Sequence, residues 1–318
     1  MKLYTRNPIC ILASASVDSF ELNEVIHVEH KRFTHSQKLN KHFDKVNKNN
    51  MEASKQISKK LGVKFSSIKM ETLNSEKIAG SMTLFDSELI KHTNISNVST
   101  IYVNADNYCA FGFTSYKTNF VTKLRLVNLW RKATKYKSIN NIYAFGTQQT
   151  SNVKIESISD YRMKKLLDFV SFKFRNTILL SCNIDLNKKY LLVLPPDPSY
   201  VGSDFTETFF KEVKLIAEQK KLEVFIKPHR NSDVRKYLHF ASVDNNMESL
   251  NRIKYLFVEF FFTLKCIKYT VAVPSSSLAF INKSKLKVYI PKDKDLFRRQ
   301  FLNQTVYLKF CDIEFNRI

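Results

Sequence analysis

Four consecutive residues, Lys227-Pro228-His229-Arg230, combine two cationic side chains with an imidazole. Lysine and arginine neutralise phosphate oxygens, and arginine can do so with two parallel hydrogen bonds. A histidine ring exchanges its proton near neutral pH and can protonate a departing phosphate. Pro228 restricts the backbone and fixes the turn. The tetrapeptide therefore indicates a phosphate-handling turn, although a basic surface loop with a solvated histidine would have the same composition.

A second polar turn, Pro274-Ser275-Ser276-Ser277, follows later in the chain. Serine hydroxyls and the free N–H groups at a helix start form an anion site. The residues after the turn, Leu278–Asn282, predict the beginning of such a helix. One of the three serines would serve as its N-cap in any case, so an ordinary cap is the alternative interpretation.

Both turns directly follow apolar segments that predict buried strands, Leu222–Ile226 and Tyr269–Val273. Two further strands are predicted at Lys189–Leu194 and Lys287–Ile290. Asp204–Lys220 predicts an amphipathic helix, because its apolar residues recur at helical spacing. Alternating strands and helices favour an α/β fold with a parallel sheet, in which ligands bind at the carboxyl ends of the strands. We therefore expect the two polar turns to lie at one edge of a sheet.

The N-terminal half shows the same alternation. Pro8–Ala15 is a short apolar run that predicts a first core strand, and Thr100–Val103 predicts another strand. Helices are predicted at His35–Leu61, which is strongly basic, at Leu124–Tyr136 and at Tyr161–Arg175. A chain of 318 residues suits two domains. We expect an N-terminal domain at residues 1–180 and a C-terminal domain at residues 181–318.

The order of these motifs resembles that of bacterial sialyltransferases and the polysialyltransferase-like group. A strand is followed by the proline-rich turn Leu194–Pro198, a helix, a strand ending in Lys-Pro-His-Arg, and a later strand ending in Pro-Ser-Ser. The resemblance spans about Lys188 to Lys292. It implies a GT-B fold, in which two Rossmann-like domains enclose a cleft. By this resemblance residues 1–180 would form the acceptor-side domain, and residues 181–318 the nucleotide-sugar-binding domain that holds most of the donor.

The resemblance also implies a reaction. An inverting enzyme of this type moves sialic acid, or a related sugar, from a CMP-activated donor onto a bacterial surface glycan such as lipooligosaccharide or capsule. It needs no metal or other cofactor. His229 would assist the departure of CMP, and Ser277 is less favoured as a ligand because the motif needs only two serines. Contacts to the CMP phosphate or ribose are implied for Lys227, Pro228, Arg230, Ser275 and Ser276.

The general base is harder to locate. An inverting transfer needs a carboxylate to accept the proton of the acceptor hydroxyl, and the related enzymes often carry it in a motif of two acidic residues and a glycine. This chain lacks that triplet. Asp106 follows the predicted strand Thr100–Val103 and is preferred on position, with Glu207 in reserve. An Asx-turn for Asp106, and a capping box of Asp204 with Glu207, are the alternatives.

Composition excludes several classes. The five glycines are scattered and form neither GxxxxGK[ST] nor GxGxxG, which argues against a P-loop ATPase and a typical Rossmann dehydrogenase. The five cysteines are widely separated, so we expect a reducing, cytoplasmic compartment and neither a disulfide framework nor a zinc site. No signal peptide is visible, and Tyr255–Tyr269 is too short and too charged to span a bilayer.

The formal net charge of +22 attracts polyanions, although a biased genome composition would also produce it. We expect an acidic glycan or glycolipid acceptor and, as a second partner, an anionic membrane surface on the inner face. The alternatives are a nucleic-acid-binding protein without enzymatic activity, or a teichoic-acid-type glycerophosphotransferase. Neither RNP-like aromatic strands nor a helix-turn-helix is recognisable, so no nucleic acid partner is expected.

Overall fold

The computed structural model describes residues 1–15, 21–29, 37–73, 83–86, 89, 100–103, 141–144, 155–157, 184–229, 232–240, 246–254, 256–275, 277–278, 281–301, 304–305, 308 and 313–318. The chain divides into two compact units, Met1–Leu166 and Leu167–Ile318. In the described ranges each unit contains one β-sheet whose neighbouring strands are all parallel, flanked by helices. The chain is therefore an α/β protein, as the sequence predicts. The roles assigned to residues 1–180 and 181–318 stay predictions.

The sheet of the first unit has, in its described part, seven strands: β1 (Lys2–Thr5), β2 (Glu24–Glu29), β3 (Lys64–Lys69), β4 (Thr83–Asp86), β5 (Thr100–Val103), β6 (Asn141–Ala144) and β7 (Ile155–Ser157). Their spatial order is β3-β2-β1-β4-β5-β6-β7. This is the 3-2-1-4-5-6 order of doubly wound nucleotide-binding sheets, extended by one strand. The described helices of this unit are α1 (Pro8–Ala15), α2 (Gln37–Leu61) and α3 (Met70–Leu73). The predicted basic helix and the strand Thr100–Val103 are thereby confirmed, whereas Leu124–Tyr136 and Tyr161–Arg175 lie outside the described residues.

The predicted first strand at Pro8–Ala15 is wrong, because this segment is helix α1. A mostly apolar segment of eight residues fits a buried strand or a buried helix equally well. Pro8 stands at the helix start, where its missing N–H costs nothing. The hydroxyl of Ser14 donates to the carbonyl of Cys10 one turn earlier, at 2.6 Å. The strand lies just before the helix, at Lys2–Thr5.

The second unit has, in the ranges described, five strands: β8 (Tyr190–Leu194), β9 (Glu223–Ile226), β10 (Ile267–Ala272), β11 (Leu286–Ile290) and β12 (Asn316–Arg317). Its described α-helices are α4 (Pro198–Val201), α5 (Ser203–Lys220), α6 (Met247–Ile253), α7 (Val258–Phe261) and α8 (Lys294–Gln300). Two 3₁₀ helices are present at Val234–Phe240 and Lys283–Lys285. The four strands that the sequence predicts in this half are confirmed, with ends that differ by one or two residues.

The strand order of the second sheet is β12-β11-β10-β8-β9. Counted along the chain from β8, this is the order 2-1-3-4-5, in which the connections change direction between the first and third strands. Open sheets of this kind bind ligands outside the carboxyl ends of those two strands, here β8 and β10. All five residues of β8 are buried, as expected for a strand with neighbours on both sides and helices on both faces.

Helix α5 lies between β8 and β9 in sequence and buries its predicted apolar stripe: Phe209, Phe210, Val213, Ile216 and Ala217. The predicted start of this helix is wrong. Asp204 is not the N-cap, because the helix begins at Ser203 and Gly202 occupies the cap position without a side-chain hydrogen bond. Helix α4 ends directly at Gly202, whose φ of 82° joins the two helices and leaves no extended residue for a capping box.

Candidate functional site

Three turns meet at the carboxyl edge of the second sheet. Pro195 follows β8, Lys227 follows β9, and Val273 follows β10. Because β8 separates β9 from β10 and strands lie about 4.8 Å apart, the ends of β9 and β10 are about 10 Å apart. The sheet thus brings the Lys227-Pro228-His229 and Pro274-Ser275 turns to one edge, as the sequence predicts.

Lys227 is a buried cation, with only 8% of the residue exposed. Its ammonium Nζ donates to the carbonyl of Pro228 at 3.1 Å and to the carbonyl of Lys254 at 3.1 Å. Its backbone N–H donates to the carbonyl of Val193, which makes it the last link of β9 to β8. Lys227 therefore braces the turn from inside, and its predicted phosphate contact stays a prediction.

Glu259 is a buried carboxylate that links the two turns. The hydroxyl of Ser277 donates to its Oε1 at 2.8 Å. Burial raises the pKa of the Glu259 carboxyl, while its own backbone N–H, the Ser277 hydroxyl and the positive charge of Lys227 act in the opposite direction and offset only part of this effect. The buried Lys227 and Glu259 and the half-buried Ser277 thus form one polar cluster, which contains two of the residues singled out in the sequence.

The sequence analysis does not select Glu259, which is one of the charged residues that interrupt the apolar run Tyr255–Tyr269. A single carboxylate among phenylalanines is costly to bury unless it has partners. That cost is the signal that could have marked it.

His229 is exposed, whereas the residues on either side of its turn are buried. Pro228 is buried before it, and Ser232 after it is 2% exposed. The backbone N–H of Ser232 donates to the carbonyl of His229 at 2.9 Å. A fully solvated loop would leave the residues before and after His229 exposed as well. His229 is instead an exposed residue between two buried ones.

The serine turn is shorter than predicted. Ser277 and Leu278 lie in a 3₁₀ turn in which the N–H of Leu278 donates to the carbonyl of Ser275 at 3.1 Å. Asn282 caps the separate 3₁₀ helix Lys283–Lys285. Where the structure describes the predicted helix Leu278–Asn282, it is not α-helical: Leu278 lies in the 3₁₀ turn and Asn282 precedes the 3₁₀ helix, while positions 279–280 lie outside the described residues.

Asp197 is a second acidic residue of this edge that the sequence interpretation did not select. Its carboxylate accepts the N–H of Ser199 at 2.9 Å and so caps helix α4, and it accepts the hydroxyl of Ser232 at 2.9 Å. An aspartate directly before a proline is a typical helix start, and this signal was present in the proline-rich turn.

Glu207 is exposed in the first turns of α5 and lines a groove of about 700 Å³ together with Phe210, His239 and Phe240. The groove extends along α5 to Glu223 at the beginning of β9. The structure describes no hydrogen bond or ion pair between Glu207 and Lys227, Glu259 or Ser277, and the role of Glu207 as a reserve base stays a prediction.

Three further predicted site residues, Asp106, Arg230 and Ser276, lie outside the described residues. In the part of the chain that the structure describes, His, Cys, Asp and Glu side chains form no group of three or more that could hold a metal. Within those same ranges, every helix is too short or too polar to cross a bilayer.

Comparisons with known proteins found little. No family model and no curated protein matches the chain. Among solved structures, it is similar to an alpha/beta-galactoside alpha-2,3-sialyltransferase from the luminous marine bacterium Photobacterium phosphoreum, with 10% sequence identity and a TM-score of 0.43 over 99% of this chain and 98% of that one. These values assign the chain to no family, and the functional argument rests on the site.

Proposed function

We propose that the chain is a nucleotide-sugar glycosyltransferase of the sialyltransferase type. One observation supports this proposal above the others. An exposed histidine, His229, lies between the buried Pro228 and Ser232 at the carboxyl edge of a doubly wound parallel sheet, where such folds bind nucleotides, and its carbonyl accepts the N–H of Ser232. The serine turn lies at the same edge, tied to the same cluster through Ser277 and Glu259.

In the proposed reaction the bond between the anomeric carbon of the sugar and the phosphate oxygen of CMP breaks. His229 donates a proton or a hydrogen bond to the departing phosphate, and the hydroxyls of Ser275 and Ser276, with Arg230, hold it. The acceptor hydroxyl attacks the anomeric carbon from the opposite face and gives its proton to a carboxylate. Asp106 is the proposed base and Glu207 the reserve.

The remaining parts of the proposal follow from the motif resemblance and from charge. The two units would enclose the donor in a GT-B arrangement, and no metal would be required. A net charge of +22 favours an acidic acceptor, such as a bacterial surface glycan or glycolipid, at the cytoplasmic face of the membrane.

The test is a panel of activated donors incubated with the full-length protein, scored by nucleotide release. CMP-sialic acid should release CMP, and CMP should raise the thermal unfolding midpoint. CDP-glycerol tests for a glycerophosphotransferase, and UDP- and GDP-sugars test for other transferases. Stabilisation by oligonucleotides but not by CMP would instead identify a nucleic-acid binder and would overturn the proposal.

A further inference from the structure

Beyond the end of β9, the segment that carries His229 is hydrogen-bonded to the residues that follow β8. The β-ladder between β8 and β9 stops where the N–H of Lys227 donates to the carbonyl of Val193. Past that residue the backbone of an edge strand has no further ladder partner, so its position depends on other contacts. Ser232 provides them: its N–H donates to the carbonyl of His229 and its hydroxyl donates to Oδ2 of Asp197, both at 2.9 Å.

Asp197 is well suited to act as an anchor. Its carboxylate is 11% exposed, its Oδ1 accepts the N–H of Ser199 at 2.9 Å, and Nζ of Lys236 lies 3.7 Å from that oxygen. Burial alone would raise the pKa of the Asp197 carboxyl. The hydrogen bonds from Ser199 and Ser232 and the charge of Lys236 outweigh burial, so this pKa lies below its ordinary value. The anchor is therefore ionised at neutral pH, and each group that the structure describes in contact with its oxygens is a donor.

A second contact fixes the same two segments. The hydroxyl of the buried Tyr237 donates to the carbonyl of Pro196 at 2.9 Å, next to Asp197. Lys236 also donates a hydrogen bond to the hydroxyl of Ser199. Two consecutive residues of the 3₁₀ helix Val234–Phe240, Lys236 and Tyr237, thus hydrogen-bond to the segment that follows β8. Ser232 lies just before this 3₁₀ helix.

We propose that Asp197 is a positioning residue for His229, acting through the hydroxyl and the backbone N–H of Ser232. It joins the turn after β9 to the turn after β8, which flanks the point where the connections of the sheet change direction. Asp197 does not touch the reacting atoms; it sets where the imidazole stands relative to them. This inference rests on the proposed function only for its effect on catalysis, since the effect on the ring of His229 can be measured without turnover.

The test uses two variants that act on the same hydrogen bond from opposite ends, in the protein as given. Ser232→Ala removes the donor hydroxyl, and Asp197→Asn removes the negative charge of the acceptor and leaves one oxygen where two now accept from Ser199 and Ser232. Ser284→Ala is the matched control, because it removes a serine hydroxyl hydrogen bond, to Asn282, just before β11 at the other end of the sheet. With CMP-sialic acid as donor, both test variants should lower kcat about 10- to 100-fold while KM changes by less than about threefold, because misplacement of a catalytic group acts on the chemical step. The control should retain the kcat of the unmodified protein.

A second readout is the ring signal of His229 in NMR spectra of protein labelled at its histidines, assigned by its loss in His229→Gln. In Ser232→Ala and Asp197→Asn this signal should shift or broaden, and in Ser284→Ala it should not. If the unmodified protein releases no nucleotide from any donor, the proposed function fails and the ring signal alone decides the positioning role. An unchanged ring signal, or a kcat within about threefold of the unmodified value, in either folded variant would overturn the proposal.

Discussion

Two histidines, His27 and His229, lie near the carboxyl ends of strands in the two parallel sheets, and their surroundings are opposite. His27 belongs to β2 and pairs in register with Thr5, the last residue of β1. It is 2% exposed, and Oγ of Ser54 lies 3.4 Å from its Nδ1. His229 lies just past the end of β9 with its side chain exposed.

The difference shows which kind of burial marks a candidate site. Burial, with a smaller effect from the charge of Arg6, lowers the pKa of His27 to about 4, so this ring is neutral at pH 7 and serves the core. At His229 the neighbouring Pro228 and Ser232 are buried and the histidine itself is exposed. A reactive side chain must be held in place by its surroundings and must be accessible to the substrate. Of these two histidines, only His229 meets both conditions.

The contrast is tested most directly by replacing each histidine in turn, because the two replacements should have opposite effects on activity and on stability. His229→Gln should lower kcat about 10²- to 10⁴-fold, the typical effect of losing a general acid, and should change the free energy of unfolding by less than about 0.5 kcal/mol. His27→Gln should do the reverse, losing stability while the folded fraction keeps its kcat. Donor turnover and urea unfolding on both variants are the measurements. A His27→Gln protein that is fully stable but inactive would break the comparison.

The buried Lys227, which supports the turn before His229, should contribute to the stability of the fold, whereas the exposed ring of His229 should not. Lys227→Met removes two hydrogen bonds to backbone carbonyls and the positive charge that, among the described residues, acts on the buried Glu259 carboxyl. We expect a loss of about 3 to 5 kcal/mol in the free energy of unfolding, with partial recovery when Glu259→Gln is added. Urea unfolding measures both.

The matched control is Lys214→Met on α5. Lys214 is also a lysine with an acidic neighbour, but its side chain is exposed, so its loss should change the free energy of unfolding by less than about 0.5 kcal/mol. Equal effects at positions 214 and 227 would contradict the interpretation of Lys227 as a structural brace.

The third prediction concerns pH. Because the folded-state pKa of His27 is about 4 and the unfolded value is about 6.5, the unfolded chain takes up the proton first as pH falls. The stability associated with the neutral ring is therefore present above about pH 6.5 and is lost as pH falls toward 4, by about 3 kcal/mol in total. The difference in unfolding free energy between the unmodified protein and His27→Gln, measured from pH 7 to pH 4, isolates this loss from that of the carboxylates. A difference that stays constant with pH would show that His27 is not buried in its neutral form.

The sequence predicts the second unit well because its strands are apolar runs bounded by prolines and by charged or polar turns. Val193, Ile226 and Ala272 each precede such a boundary closely, and the strands end where the pattern indicates. The first unit is harder, since Pro8–Ala15 carries no periodicity that separates a buried helix from a buried strand.

The site is predictable only in part, for a physical reason. Residue types identify His229 and the serines as candidates. The residues that position them are isolated in the sequence, and their role depends on contacts with residues far away in the chain. Asp197 reaches Ser232, and Glu259 reaches Ser277. A carboxylate in a proline turn or in an apolar run gives no indication of which partner it will meet.

The central place of β8 also bears on how the second unit folds. Val193 pairs with Ile226 on one side and with Val271 on the other, so one partner strand follows soon in the chain and the other only much later. Until β10 is present, one full edge of an entirely apolar strand stays without its partner. Parallel pairings between distant segments form slowly because a long loop must close first. During synthesis, the stretch between β9 and β10 is therefore an interval in which the free edge of β8 is open to pairing with other chains.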